Sequence, residues 1–239
     1  MRGMGEESMK KTKLFCIPYA GGSAMAYTRW KKHLSSEIEL YPLELSGRGR
    51  KIKMPFYDSI HDAINDVFSM LEKELDDTPY ALFGHSMGSV IAYEVAHKIN
   101  ESGCQKPMHI FFSGRKAPDA KRDSNIHHLP HDEFVEKVLD YGGMSKGLLA
   151  EKQLLDLMLP IIRNDIRIIE QYNYVERPIK LSCDTTVLYG KMDKMTINDA
   201  IEWKKHTEGK CDIKCFGGGH FFINEYEEDV IEVIQNALL

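Results

Sequence analysis

The sequence predicts a single α/β domain: a mainly parallel β-sheet with helices on both faces and a helical insertion in its middle. Three observations carry this. Short strands that are apolar nearly throughout alternate with stretches of helical period, and strands apolar on both faces mark a parallel sheet covered by helices. The 239 residues can bury one sizeable core, and no Pro/Gly/Ser-rich linker or break in composition divides them. The alternation is interrupted once, from Ala117 to Arg177, by a long stretch with no credible strand.

Taken in order, Leu14-Phe15-Cys16-Ile17 is the first strand, running into the loop Pro18-Tyr19-Ala20-Gly21-Gly22-Ser23 and a helical stretch from Met25 to Leu34. Glu39 to Leu43 is the second strand. Ile60, Ile64, Val67, Phe68, Leu71 and Leu75 then recur on one helix face. Tyr80-Ala81-Leu82-Phe83 is a short buried strand, and a mostly buried helix containing Val90 to Ile99 starts directly after the turn that follows it. Met108 to Phe112 is the next strand. Within the 117–177 insertion, Asp132 to Leu139, Glu151 to Leu159 and Ile161 to Tyr172 are helical, with Pro160 breaking or kinking the run. An insertion of this kind predicts a lid over a pocket, not a separate domain. Thr185 to Tyr189 is a strand, Ile197 to His206 a helix, Cys211 to Phe216 a strand and Tyr226 to Leu238 a closing helix.

Composition excludes several classes of function. A net charge of -5, with no basic run longer than Lys10-Lys11-Thr12-Lys13, argues against nucleic acid or an anionic membrane as the main partner. No stretch of 18 apolar residues occurs, and Met1 to Ser8 is polar, which predicts a cytoplasmic protein. Five scattered cysteines fit reduced thiols. Cys211 and Cys215, on one strand, would lie about 13 Å apart, beyond the ~7 Å limit of a disulfide. Without a second pair they also make a poor zinc site, and both read as core thiols.

The chemistry centres on Gly84-His85-Ser86-Met87-Gly88, which sits between an apolar strand and a helix. That context turns a weak pentapeptide signal into a nucleophile elbow, with Ser86 exposed at the tip of a strained turn and small residues required beside it. A serine needs a base, and the base an oriented acid. His220 follows the last strand in Gly217-Gly218-Gly219-His220, at the sheet edge that carries Ser86. His127, His128 and His131 belong to the insertion, and His33, His61, His97 and His206 sit in helical patterns. His85 points away from its neighbour Ser86. For the acid, Asp193 leaves the C-terminal end of the penultimate strand, whereas Asp184 precedes that strand and Asp199 lies on the next helix. Asp119, after the strand ending at Phe112, is the rival. The order Ser86, Asp193, His220 is that of the α/β-hydrolase fold. The backbone N–H groups of Met87 and Ala20 are the expected oxyanion donors, with Gly21 as the alternative to Ala20. The glycine loop lacks both the Walker lysine and Gly-x-Gly-x-x-Gly, which discounts a phosphate cradle.

After Lys13 nearly the whole chain resembles the external (type II) thioesterases that accompany nonribosomal peptide and polyketide synthetases. The resemblance rests on Pro18 to Ser23, on Glu44-Leu45-Ser46-Gly47-Arg48-Gly49-Arg50, on the elbow and on Ser113-Gly114-Arg115-Lys116-Ala117-Pro118. Leu159-Pro160-Ile161-Ile162-Arg163-Asn164-Asp165 is similar to the family's lid segment Pro-x-x-Arg-x-Asp, and Gly217 to His220 carries the histidine. Ser46 departs from the family, which commonly has proline there. The first eight residues fall outside the resemblance, and Arg48 and Arg50 read as solvated or structural.

The resemblance implies hydrolysis of acyl or aminoacyl thioesters on the phosphopantetheine arm of carrier protein domains, clearing stalled or misprimed synthetases. It implies no metal or organic cofactor, since the phosphopantetheine belongs to the partner, and a monomer is the expected state. Three other readings share the motifs: a carboxylesterase or lipase, an acyltransferase, and a catalytically silent binding module on the same fold.

Overall fold

The computed structural model describes residues 11–121, 125–142 and 152–239; Met1–Ser8 and the expected helix start at Glu151 lie outside them. Six strands form one sheet: β1 (Thr12–Ile17), β2 (Ile38–Pro42), β3 (Tyr80–His85), β4 (His109–Ser113), β5 (Asp184–Gly190) and β6 (Cys211–Phe216). Their order is β2-β1-β3-β4-β5-β6. Every neighbouring pair is parallel, so the described sheet is parallel throughout. The described helices are α1 (Met25–Thr28), α2 (Ile60–Glu72), α3 (Met87–Ser102), α4 (His131–Asp140), α5 (Lys152–Glu170), α6 (Ile197–Glu202), α7 (Phe222–Glu225) and α8 (Glu227–Leu238).

Alternate side chains of each strand feed opposite faces, as a pleat requires. Phe15, Ile17, Leu82, Ile110, Phe112 and Val187 pack with α2, α3 and Trp203 on one side. Leu14, Cys16, Ala81, Phe83, Phe111 and Leu188 pack with Tyr27, Trp30 and α8 on the other. Full burial of a side chain such as Phe83 contributes about 1.5–3 kcal/mol each, so the central strands lock the register. On the α2 side, the rings of Phe112 and Trp203 stack with centroids 3.8 Å apart. A smaller apolar cluster, with Phe134, Val138, Leu159 and Ile162 at its heart, joins α4 to α5. Both helices fall between β4 and β5, where no strand occurs among the described residues.

Three local expectations are corrected. Pro160 interrupts nothing: α5 is one helix from Lys152 to Glu170, and the proline lies on its exposed side. The missing N–H and the ring crowding there fall on the solvent side of the helix, where water can take the freed carbonyl. The stretch after Met25 is only one turn of α-helix before a 3-10 turn, Arg29–Lys32. Cys215 is exposed and Cys211 half-buried, not core thiols, because β6 is the edge strand of the sheet and has a neighbour on one side only. Ser46, the departure from the family, donates its backbone N–H to the Tyr57 hydroxyl at 3.0 Å and its Oγ–H to the Pro55 carbonyl at 2.6 Å. A proline at 46 could make neither bond.

Because all six strands run the same way, the loops that leave β1, β3, β4, β5 and β6 gather at one edge of the sheet. Chain order reverses between β1 and β3, which opens a crevice beside their C-terminal ends.

Candidate active site

The strand-to-helix turn at Ser86 is bent as its motif demands. Ser86 has φ 54° and ψ -113°, and it is the one non-glycine with positive φ among the described residues. Two contacts hold the strain in place: its N–H donates to the Ser113 carbonyl at 2.7 Å, and Ser89 Oγ bridges β3 to β4 through Gly84 O (2.8 Å) and Ser113 N (3.0 Å). The flanking glycines are steric necessities. A Cβ on Gly84 would stand 2.2 Å from Gly88 O, and one on Gly88 2.3 Å from Ile17 O. Ser86 occupies the N-cap position of α3, but its side chain makes no cap hydrogen bond. The hydroxyl is therefore not consumed by the helix.

The loops after β5 and β6 are stitched together by backbone bonds from Lys191 N to Phe216 O and from Met192 N to Gly218 O, each 2.8 Å. This brings Asp193 Oδ2 to 2.9 Å from His220 Nδ1. Both side chains are largely buried, which strengthens the pairing relative to a solvated one. The other weighed groups are engaged elsewhere. Asp119 Oδ1 lies 2.9 Å from His206 Nε2, Asp199 caps α6 through Thr196, and Asp184 accepts the Lys210 N–H at the opposite edge of the sheet. His127 pairs with Glu170, and His33 with Glu227 and Glu228.

His85, inside the elbow, is fully buried, with Nδ1 2.9 Å from Ser113 Oγ and its ring 5.1 Å from that of His220. Burial, helped by the neighbouring His220, pushes its pKa well below the ordinary histidine value. It therefore stays neutral and places no second positive charge beside His220.

The loop after β1 forms a turn in which Gly22 N–H donates to Tyr19 O at 2.8 Å and Gly21 takes φ 78°. Gly21 N–H donates to Asp165 Oδ2 at 2.8 Å. Of the three amides that follow Tyr19, two are thus committed, and that of Ala20 is the one left. Met87 opens α3, so its N–H belongs to the first turn and has no acceptor within the helix.

Ala20, Ser86, Met87, Asp193 and His220 all line one cavity of ≈ 620 Å³. Val90, Val138, Met158, Ile162, Ile166 and Ile169 supply an apolar wall, drawn from α3, α4 and α5. Sequence reasoning missed two residues here. Asp165, fully buried, and Arg48 form a bidentate ion pair with N–O distances of 2.5 and 2.7 Å. The signal was available: Asp165 is a charged residue in the apolar stripe Ile161, Ile162, Ile168, Ile169 of α5. Among the described residues, no group of three or more His, Cys, Asp or Glu side chains could hold a metal ion.

Comparison with known proteins places the chain among characterised relatives. A family model described as a thioesterase domain matches residues 12–238. The chain is 31% identical to thioesterase PikA5 of Streptomyces venezuelae, covering 95% of this chain and 81% of the relative. It is 34% identical to a Brevibacillus parabrevis protein named linear gramicidin dehydrogenase LgrE, covering 94% of this chain and 87% of the relative. Among solved structures, ClbQ of the colibactin NRPS/PKS pathway superimposes with a TM-score of 0.91 at 34% identity, covering 95% of this chain and 96% of that one.

Proposed function

The chain belongs to the thioesterase domain family and has its α/β-hydrolase fold, and from that premise we propose that it hydrolyses acyl or aminoacyl thioesters on the phosphopantetheine arm of carrier proteins. It would thereby clear stalled or misprimed arms of a nonribosomal peptide or polyketide synthetase. The observation that carries the reading is the His220–Asp193 pair at 2.9 Å, lining the same cavity as a serine held at positive φ on its elbow.

In this mechanism Ser86 Oγ attacks the thioester carbonyl while His220 Nε2 takes its proton, and Asp193 holds the imidazolium through Nδ1–H. The tetrahedral oxyanion is received by the N–H groups of Met87 and Ala20. Collapse expels the phosphopantetheine thiol, protonated by His220, and leaves an acyl-serine. Water, deprotonated by the same histidine, then attacks the acyl-serine, and His220 returns that proton to Ser86 Oγ as the ester bond breaks and the acid leaves. A thiol leaves with a pKa near ~8.5, so the acid step is less demanding than for an amine. The apolar wall suits an acyl chain. The 117–177 insertion acts as a lid over it, its described helices α4 and α5 contributing to that wall. The proposed reaction calls on no metal or organic cofactor, and a monomer is the proposed state. No described helix is long and apolar enough to cross a membrane.

The test is mass spectrometry of carrier proteins loaded with different acyl groups, incubated with the parent protein or with Ser86→Ala. The parent should return the arm to its free thiol and the variant should not. Equal loss of acyl groups with both proteins would sink the proposal, and faster cleavage of the same acyl group from a simple alcohol would favour an esterase.

A further inference from the structure

Arg48 and Asp165 come from distant parts of the chain and meet beneath the turn that carries Ala20. Their side chains are 4% and 0% exposed. Beyond the pair, Arg48 Nε donates to Ser46 O at 3.3 Å, and two bonds go to the turn: Asp165 Oδ2 accepts Gly21 N–H at 2.8 Å, and Arg48 Nη1 donates to Gly22 O at 3.0 Å. A guanidinium and a carboxylate thus take the carbonyl of one peptide unit and the N–H of another, on either side of Gly21. The turn is also pressed against α5, since a Cβ on Gly21 would stand 2.3 Å from Ile162 Cγ1.

Stability alone does not call for such a pair. A buried ion pair is often no more stabilising than apolar residues of similar volume, and this position lies in an otherwise apolar stripe. Geometry supplies the better reason. In a planar trans peptide the C=O and N–H point opposite ways, so the bond from Gly22 N–H to Tyr19 O turns the Ala20 N–H outward from the turn. A turn with positive φ at its third residue can interconvert with one in which the central peptide is flipped. Here the central peptide is Ala20–Gly21: by holding its N–H, Asp165 fixes the form and place of the turn, while the Ala20 N–H belongs to the preceding peptide, kept outward by the Tyr19 O bond. Oxyanion donors stabilise charge well only when they are fixed before the reaction begins.

We propose that Asp165, gripped by Arg48, is a positioning residue that anchors the turn at Gly21 N–H and Gly22 O, so that the Ala20 N–H, turned outward by the Tyr19 O bond, stays in one place facing the developing oxyanion. The inference rests on the hydrolytic reading of Ser86 and adds to it a buried strut from α5. The wall of the acyl cavity and the oxyanion turn are thereby fastened together at one point.

The experiment compares the parent protein with Asp165→Asn, with Arg48→Lys and with the double variant Arg48→Met/Asp165→Leu, using an acyl-loaded carrier protein. The double variant should remain folded, with kcat lowered by about 10²-fold, the scale of a lost oxyanion donor, and KM within about threefold of the parent. Asp165→Asn keeps an oxygen for Gly21 N–H and should recover part of that loss. Amide exchange supplies a readout independent of turnover: the Gly21 N–H should be protected in the parent and in Asp165→Asn, and exposed in the double variant. A folded double variant with kcat within threefold of the parent, or an unprotected Gly21 amide in the parent, overturns the proposal. If the double variant does not fold, Arg48→Lys carries the same two readouts, with kcat expected to fall and KM to hold. Parent turnover against Ser86→Ala tests the hydrolytic reading itself, so the two failures are distinguishable.

Discussion

A carboxylate on Nδ1 of His220 selects the tautomer whose Nε2 is free to accept a proton. Replacing Asp193 with Asn offers that nitrogen an amide that can donate as well as accept, and the ring can settle in the unproductive form. Asp193→Asn should lower kcat for thioester hydrolysis by about 10³- to 10⁴-fold with little change in KM, as measured by steady-state release of free thiol. Undiminished turnover in that variant would point instead to acyl transfer without a triad acid. At this scale the elbow, His220 and Asp193 were legible because each follows an apolar strand with turn chemistry of its own. The pairing of Asp165 with Arg48 was not: a charge in the apolar stripe of α5 marks Asp165, but the partners lie 117 positions apart and nothing local in either segment names the other.

Two elements make separate tests of how local chemistry supports the fold. Ser59 and Asp62 form a reciprocal capping box at the start of α2, the helix that packs Ile60, Ile64, Val67 and Leu71 onto the sheet. Ser59→Ala should cost about 1 kcal/mol in urea denaturation, since one helix N–H loses its acceptor. Pro160 presents the opposite case. It sits on the exposed side of α5, where a proline is about 3 kcal/mol less favourable than alanine in a helix interior. Pro160→Ala should therefore raise the melting temperature, and an unchanged or lowered value would show that the ring stabilises α5 in some other way. Helical period found α5 from its apolar positions but split it at the proline. Period reports which face is buried, while continuity through a proline depends on whether the freed carbonyl can reach water.

For the molecule as a whole, pH should act through buried histidines. Burial lowers the pKa of His97 to about 4, pushes His85 well below the ordinary value of 6.5 and lowers His109 as well. Between pH 6.5 and 4 the unfolded chain therefore binds more protons than the native one, and stability rises with pH across that window. Urea denaturation at pH 7, 5.5 and 4.5 should show a falling midpoint, and His97→Gln should flatten part of the trend. A midpoint that rises on acidification would contradict this assignment. The amino-acid order by itself determined the alternation of strands and helices, the strained elbow at Ser86 and the loops that carry Asp193 and His220, because each is written in contiguous residues with a local steric or periodic cause. Only the tertiary structure decided which amide of the glycine turn is left uncommitted and which helix holds that turn from below. Those outcomes depend on the parallel register that sets β1 beside β3 and on the contacts of Asp165 and Ile162 in α5 with the turn after β1, and contacts between distant segments leave no periodic trace in either one.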